Sequence, residues 1–334
     1  MTRFAFAGFG HAHINSLYRT VRESDHLEIA GACESDEHLK KTAEAAGIEI
    51  NYASIDEMLS TVECEVVAIG SVFGDRGHMA IRALEHGKHV IADKPLCTRM
   101  EELDEIERLA SEKDIKVGCM LTMRGSRTSA GIRHLIQSGR LGEINAITFG
   151  GQHPLNLNTR PSWYFEPGRH GGTITDIFIH AADGLPWITG LSYDRVLAAR
   201  CWNALASQYP DFEDGAQLMM TMENGCGVLG DVSYFMPSKG GYSLPYYWRT
   251  TFFGSDAIAE VSSVSDTIDL TVDGEVVAKQ PESPEPIGYL AGFLADLEGS
   301  GSSEHLLTSD VIKAMRTAIR VQEAADNHQF DVAL

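Results

Sequence analysis

The stretch Phe4-Ala5-Phe6-Ala7-Gly8-Phe9-Gly10-His11-Ala12-His13 decides the reading of the chain. Phe4–Gly8 is short and apolar, which predicts a buried strand. Ile14, Leu17, Tyr18 and Val21 follow at helical spacing, so the two glycines fall on a strand-to-helix turn. Gly8 permits the sharp bend. Gly10 carries no side chain, so a pyrophosphate can approach the backbone. The helix N-terminus adds N–H groups and a favourable dipole. The expected ligand is a dinucleotide held by Gly8, Phe9, Gly10, His11 and His13. His13 stands where a third glycine is usual, so helix–strand packing there must differ.

Downstream, short apolar runs alternate with amphipathic stretches. Leu27–Cys33, Val66–Ile69, His89–Ala92 and Lys116–Met120 read as strands. Asp36–Ala46, His78–His86 and Met100–Glu112 read as helices, the first two closed by Gly47 and Gly87. The pattern predicts an α/β chain whose residues 1–122 form a doubly wound parallel sheet of Rossmann type. Glu34 closes the second strand. A carboxylate there accepts hydrogen bonds from the ribose 2′-OH of NAD and repels the 2′-phosphate of NADP. No arginine follows it, so NAD is the expected cofactor and NADP is disfavoured. Asp93-Lys94-Pro95-Leu96 follows the strand His89–Ala92, and open α/β sheets bind ligands beyond their carboxyl strand ends. An ammonium at Lys94 suits polarising a carbinol oxygen.

Beyond Met123 the pattern changes. Ser129–Gln137 reads as a helix and Ile144–Gly150 as a strand. Gln152–His170 is a loop rich in His, Pro, Arg and aromatics. Ala216–Met222 and Cys226–Ser233 flank Asn224-Gly225, while Thr267–Val272 and Glu275–Lys279 flank Asp273-Gly274, which predicts two tight hairpins. Residues 123–305 are therefore expected to form a substrate and oligomerisation α/β domain around a large, mostly antiparallel open sheet. A C-terminal helix within 306–334, spanning Thr308–Asn327, is expected to pack back on the Rossmann domain. The run Gly171 to Gly190 reads as a helix over Gly172–Thr189. Asp176, His180 and Asp183 share one face of it in otherwise apolar surroundings. Three ionisable groups on a buried face are costly unless they pair or act on a ligand.

Composition narrows the function classes. A chain of 334 residues suits two domains. With 27 Lys+Arg against 47 Asp+Glu the net charge is −20, and no basic stripe offsets it, so nucleic acid is a poor partner. Highly anionic substrates are mildly disfavoured, although a local Lys or Arg can override the net field. No apolar run is long enough for a transmembrane helix, and the chain enters a strand at once, which leaves no room for a signal peptide. The 6 cysteines form no CxxC pair and read as reduced residues of a cytoplasmic protein.

Taken in order, these motifs resemble the glucose–fructose oxidoreductase and inositol dehydrogenase family, written Gfo/Idh/MocA, over nearly the whole chain. The run Ala83 to Val90 resembles the helix and strand before the family's Glu-Lys-Pro signature, which stands here as Asp93-Lys94-Pro95. Ser138-Gly139-Arg140-Leu141-Gly142-Glu143-Ile144 resembles the junction into the large sheet. Gly171 to Gly190 resembles the family's Gly-Gly, Asp, His, Asp helix. The resemblance implies an active site at the domain junction, with Lys94, Asp176 and His180 catalytic and the histidine as proton acceptor. It implies a polyol or sugar substrate oxidised at a secondary alcohol, and a homodimer or homotetramer built through the open sheet. Ser71, Lys94 and Pro95 join the expected cofactor contacts. Arg124, Trp163, Tyr164, His170 and Asp183 are the expected substrate contacts. Gly70-Ser71-Val72-Phe73 departs from the family's Thr-Pro loop, and the family's following histidine falls near Arg76. Two rivals remain. One is a regulator of the same fold without turnover, against which Lys94, Asp176 and His180 argue. The other is a metal enzyme using Asp176 and His180 with His153 or His170, which the charge of Lys94 opposes. No metal is expected.

Overall fold

The computed structural model describes residues 1–334, and the chain divides into two compact units. The first contains β1 (Thr2–Ala7), α1 (Ile14–Arg22), β2 (Leu27–Cys33), α2 (Glu37–Ala45), α3 (Ile55–Thr61), β3 (Val66–Ile69), α4 (Phe73–Glu85), β4 (His89–Ala92), α5 (Met100–Lys113) and β5 (Val117–Cys119). The strands form a parallel sheet in the order β2-β1-β3-β4-β5. Alternate sequence blocks are apolar because both faces are covered: all four residues of β3 are buried. Ile14, Leu17, Tyr18 and Val21 of α1 are buried, as their spacing requires. Asp36 caps α2 by accepting from the His38 and Leu39 N–H groups. Helix α4 starts at Phe73, a turn and more before the expected His78.

The second unit holds α6 (Arg127–Gln137), β6 (Ile144–Pro154), a wide π-type turn (Ile174–Phe178) continuing as α7 (Ile179–Thr189), β7 (Tyr193–Trp202), β8 (Gly215–Met222), β9 (Gly227–Met236), β10 (Trp248–Gly254), β11 (Ile258–Ser262), β12 (Ile268–Val272) and β13 (Glu275–Lys279). The chain then forms α8 (Tyr289–Leu297), α9 (Thr308–Asp326) and β14 (Phe330–Ala333). Nine strands run in the order β13-β12-β11-β10-β6-β9-β8-β7-β14. Neighbours are antiparallel except β6 and β9, which are parallel. The β12–β13 turn has positive φ at both Asp273 (53°) and Gly274 (81°), the backbone that the Asp-Gly pair favours. One sheet face packs on the helical layer, with the Phe149 and Phe178 rings 5.9 Å apart. The other face leaves Met219 (49%) and Leu229 (53%) exposed, and Phe330 of β14 is 72% exposed.

The units are not three consecutive stretches. Gly168–Gly171 and Tyr289–Met315 belong to the first unit, and Arg316–Leu334 to the second. Helix α8 joins the first unit because Phe293 packs directly on Gly118 of β5, where any side chain would collide with the ring.

Candidate active site

In the first unit the glycine turn is built against the loop after β3. Gly8 has φ +80°, and a Cβ there would lie 2.6 Å from the Ser71 Cβ; one on Gly10 would lie 2.6 Å from the Val72 nitrogen. The turn therefore presents bare backbone at the N-terminus of α1, which is what a dinucleotide pyrophosphate requires. Glu34, at the end of β2, is buried. Its Oε2 accepts from the Phe9 N–H at 2.7 Å and its Oε1 from the Asp36 N–H at 2.9 Å. The Glu34 carboxylate is thus fixed to the same turn. The residues present fit NAD.

Lys94 and Pro95 follow β4, and Lys94 is buried. Asp93 beside them is wholly buried and receives four donors. The Lys94 N–H (2.7 Å) and His13 Nδ1 (3.3 Å) reach Oδ1, while His11 Nδ1 (2.6 Å) and Arg76 Nη2 (3.1 Å) reach Oδ2. Burial alone penalises the charged carboxylate, but Arg76 and His11 outweigh it and hold Asp93 well below the ordinary carboxylate range. Arg76 also donates from Nε to the Ser71 carbonyl (2.8 Å) and from Nη1 to the Lys94 and Pro95 carbonyls. The guanidinium thereby ties the loop after β3 to the Lys94-Pro95 backbone. The Phe73 ring lies under Arg76 (4.5 Å) and within 5.7 Å of the Lys94 ammonium. The His11 and His170 rings stand 5.3 and 5.6 Å from it. His170, expected among substrate contacts of the second domain, thus belongs to the first unit beside Phe73.

In the second unit the turn preceding the π segment needs Gly172. Its φ is +94°, and a Cβ would sit 2.2 Å from Gln322 Cδ. The Gln322 Oε1 accepts from the Ile174 (2.9 Å) and Thr175 (3.3 Å) N–H groups, satisfying donors at the start of the helical run. Asp176 and His180 are both buried. Asp176 Oδ2 accepts from the Tyr234 hydroxyl of β9. Burial first, and then the Asp176 charge, push the Tyr234 phenol well above its usual range, so it remains a donor. The His180 ring meets the edge of Trp248 at 5.8 Å. It also lines a cavity of about 220 Å³ whose wall carries Thr122, Ser126, Thr128, Tyr247 and Trp248. His153, on β6, is boxed by Tyr234, Tyr242, Tyr247 and Trp248 at 4.8–6.3 Å. Burial, followed by Tyr242 and Asp176, raises Tyr247 to about 12. Trp163 and Tyr164 are buried with ring centroids 4.2 Å apart.

Arg124 and Asp183 form a buried bidentate ion pair, with Nε–Oδ2 at 3.2 Å and Nη2–Oδ1 at 2.6 Å. Each answers the other's charge. Sequence reasoning left Tyr234, Gln322 and Arg76 without roles. Their partners lie far along the chain, and only Arg76 had a local signal, its position where the family has histidine. Two sets of potential metal ligands converge, His11-His13-Asp93 and Cys201-Glu213-Asp326, and neither includes Asp176 or His180. At the first set Arg76 already occupies the carboxylate, and its positive charge opposes a cation.

Residues 2–120 match the family described as the oxidoreductase family with an NAD-binding Rossmann fold, and residues 130–260 match the GFO/IDH/MocA C-terminal domain. An oxidoreductase of Synechocystis is 29% identical over 274 residues, covering 76% of this chain and 71% of that one. An inositol 2-dehydrogenase of Leifsonia xyli is 24% identical over 251 residues, 72% of this chain and 68% of its own. Overlap with an oxidoreductase of Rhizobium meliloti, 26% identical, is limited to 59% of each chain. Among solved structures, an oxidoreductase from Thermotoga maritima superposes with a TM-score of 0.85 at 23% identity, covering 99% of this chain and 100% of that one. An inositol dehydrogenase homologue from Azotobacter vinelandii complexed with NAD+ gives 0.81 at 18% identity, covering 100% and 97%. These likenesses show the fold. Together with the two matched domains, they identify the chain as a member of the Gfo/Idh/MocA oxidoreductase family, with its NAD-binding Rossmann domain.

Proposed function

We propose that this oxidoreductase is an NAD-dependent dehydrogenase that oxidises a secondary alcohol of a polyol or sugar. The observation that carries the reading is the hydroxyl-lined cavity with His180 in its wall, a size and chemistry suited to a sugar ring. Bound nicotinamide supplies the hydride acceptor. The protein supplies position and electrostatics. His180 takes the hydroxyl proton, since its ordinary pKa lies near neutrality. Asp176 stabilises the imidazolium that results, and Tyr234 holds the Asp176 carboxylate in place. Lys94 hydrogen-bonds the alcohol oxygen and favours its alkoxide character. Glu34 makes NAD the preferred cofactor over NADP.

A spectrophotometric screen of NAD reduction over inositols, aldoses, sugar acids and deoxy-sugars tests the reading. It is expected to find at least one polyol or sugar oxidised with saturation kinetics. Tight NAD binding with no turnover across the set would support a regulator instead.

A further inference from the structure

We propose that the substrate carries a carboxylate, making it a sugar acid rather than a neutral polyol, and that Arg160 binds that group. The reaction assigned to this acid rests on the dehydrogenase reading; the binding of the acid does not.

Arg160 lies in the loop that follows β6. Its Nε donates to the Leu155 carbonyl at 2.9 Å and its Nη2 to the Pro154 carbonyl at 2.7 Å. The guanidinium carbon sits 4.7 Å from the Tyr164 ring centroid and 5.5 Å from that of Tyr234. Two carbonyls and two aromatic faces therefore fix the plane of the fork before any ligand arrives. All of these partners are neutral. The two buried guanidinium groups are each matched to an acid, Arg76 to Asp93 and Arg124 to Asp183, whereas Arg160 is half-buried. Arg160 has no carboxylate within ion-pair distance, in a chain with 47 acidic residues against 27 basic ones. Its Nη1 makes no hydrogen bond to the protein. A partly buried cation without an anion is costly, and a preorganised fork with an open edge matches the geometry of a carboxylate.

The location is apt. Tyr234 touches Arg160 with its ring and Asp176 with its hydroxyl. An anion held at Arg160 therefore lies one side chain away from the proposed proton-transfer residues. The Arg160 charge also offsets the repulsion between a ligand anion and Asp176, which is close enough to favour the charged guanidinium. A single arginine beside a carboxylate suits a monoanion. A phosphate dianion would meet Asp176 and the chain's net charge of −20 with only that one cation in compensation.

The test is equilibrium binding to the NAD-loaded protein, by calorimetry, of D-gluconate and D-glucuronate beside D-glucitol and D-glucose, with NADH formation followed on the same samples. The acids are expected to bind more tightly than their neutral counterparts. In Arg160→Gln the acid-to-neutral preference should collapse by roughly 10- to 100-fold, with Arg160→Lys recovering part of it. A structural role for Arg160 would weaken both classes alike and leave the ratio unchanged, which would overturn the proposal. So would equal or tighter binding of the neutral sugars by the unmodified protein, or tighter binding of a hexose phosphate. If Arg160→Gln fails to fold, the ratios for Arg160→Lys and for the unmodified protein decide. Acid binding without NADH formation would uphold this inference while removing the dehydrogenase reading. NADH formation from neutral sugars alone would do the reverse.

Discussion

Tyr234 on β9 donates its hydroxyl hydrogen to Asp176, at the first turn of the helical run that carries His180, and both groups are buried. Removing the donor leaves a buried carboxylate short of a charge-assisted bond. Tyr234→Phe is expected to destabilise the fold by about 1.5–3 kcal/mol and to lower turnover as Asp176 loses its orientation. Urea unfolding beside steady-state kinetics measures both. Unchanged midpoint and rate together would dismiss the coupling.

His180 and Asp176 are expected to act as a unit. His180→Ala should lower turnover by roughly 10²–10⁴-fold, the usual cost of losing a positioned general base. Asp176→Asn should lower it as well, and the double variant should be little worse than His180→Ala alone. If His180→Ala keeps the unmodified rate and pH dependence, the base is another group, with Lys94 the next candidate.

Two substitutions in the first unit should give opposite signatures. Lys94→Ala is expected to remove most turnover while leaving the affinity for NAD, read by fluorescence titration, within a few-fold. Glu34→Ala should spare the chemistry but weaken NAD and narrow the expected preference over NADP, because the carboxylate that braces Phe9 and is proposed to read the ribose is gone. Higher catalytic efficiency with NADP in the unmodified protein would refute the assignment of Glu34.

The parts legible in the sequence were those whose physics is local. The Gly8–His13 turn, the strand ends at Glu34 and Asp93, and the two hairpin dipeptides announce themselves within a few residues. The start of α4 was hidden by Gly74 and Gly77, which weaken the helical signal. They are small because Gly74 abuts the Gly168 carbonyl and Gly77 abuts Glu102. The wide turn at Ile174–Phe178 was hidden too, since its apolar residues also fit an ordinary helix. Arg124 and Asp183 illustrate the converse. Both were expected to contact substrate, and the ion pair that joins them spans 59 residues of sequence, which no local pattern announces. Strand β13 is exposed at all its residues, yet its register follows from the Asp273-Gly274 turn rather than from burial.

Acid should loosen the cofactor turn. Burial above all, with Lys94 and His13 adding to it against the pull of Asp93, lowers His11 from 6.5 to about 4. Between those values the unfolded chain holds a proton that the folded chain does not. Stability is therefore lost as pH falls through this window, by about 3 kcal/mol. His11→Asn should flatten that part of the profile. Unfolding midpoints at pH 6.5 and 4.5 for both proteins provide the comparison, and parallel slopes would show that His11 titrates near its ordinary value.

The outer face of the nine-stranded sheet is expected to be covered by a second copy of the chain. A groove of about 610 Å³ there is lined by Leu218, Met219, Leu229 and Phe330 among others. Apolar surface of this kind marks an interface. Light scattering at micromolar concentration should report a dimer or tetramer, and Leu229→Asp should shift it towards monomer. A monomer in the unmodified protein would count decisively against this assembly.

The first unit includes Tyr289–Met315, more than 160 residues after the end of β5. On the ribosome, domains ordinarily fold as they emerge, starting from the N-terminus. Here the nucleotide-binding unit is not complete when its first 120 residues have emerged. The surface of β5 that receives Phe293 stays uncovered while β6 to β13 are synthesised. Completion of each unit thereby waits for a segment beyond residue 288. A ribosome stalled before Tyr289 would hold two unfinished units instead of one finished and one pending, and no N-terminal fragment contains the whole first unit without most of the second.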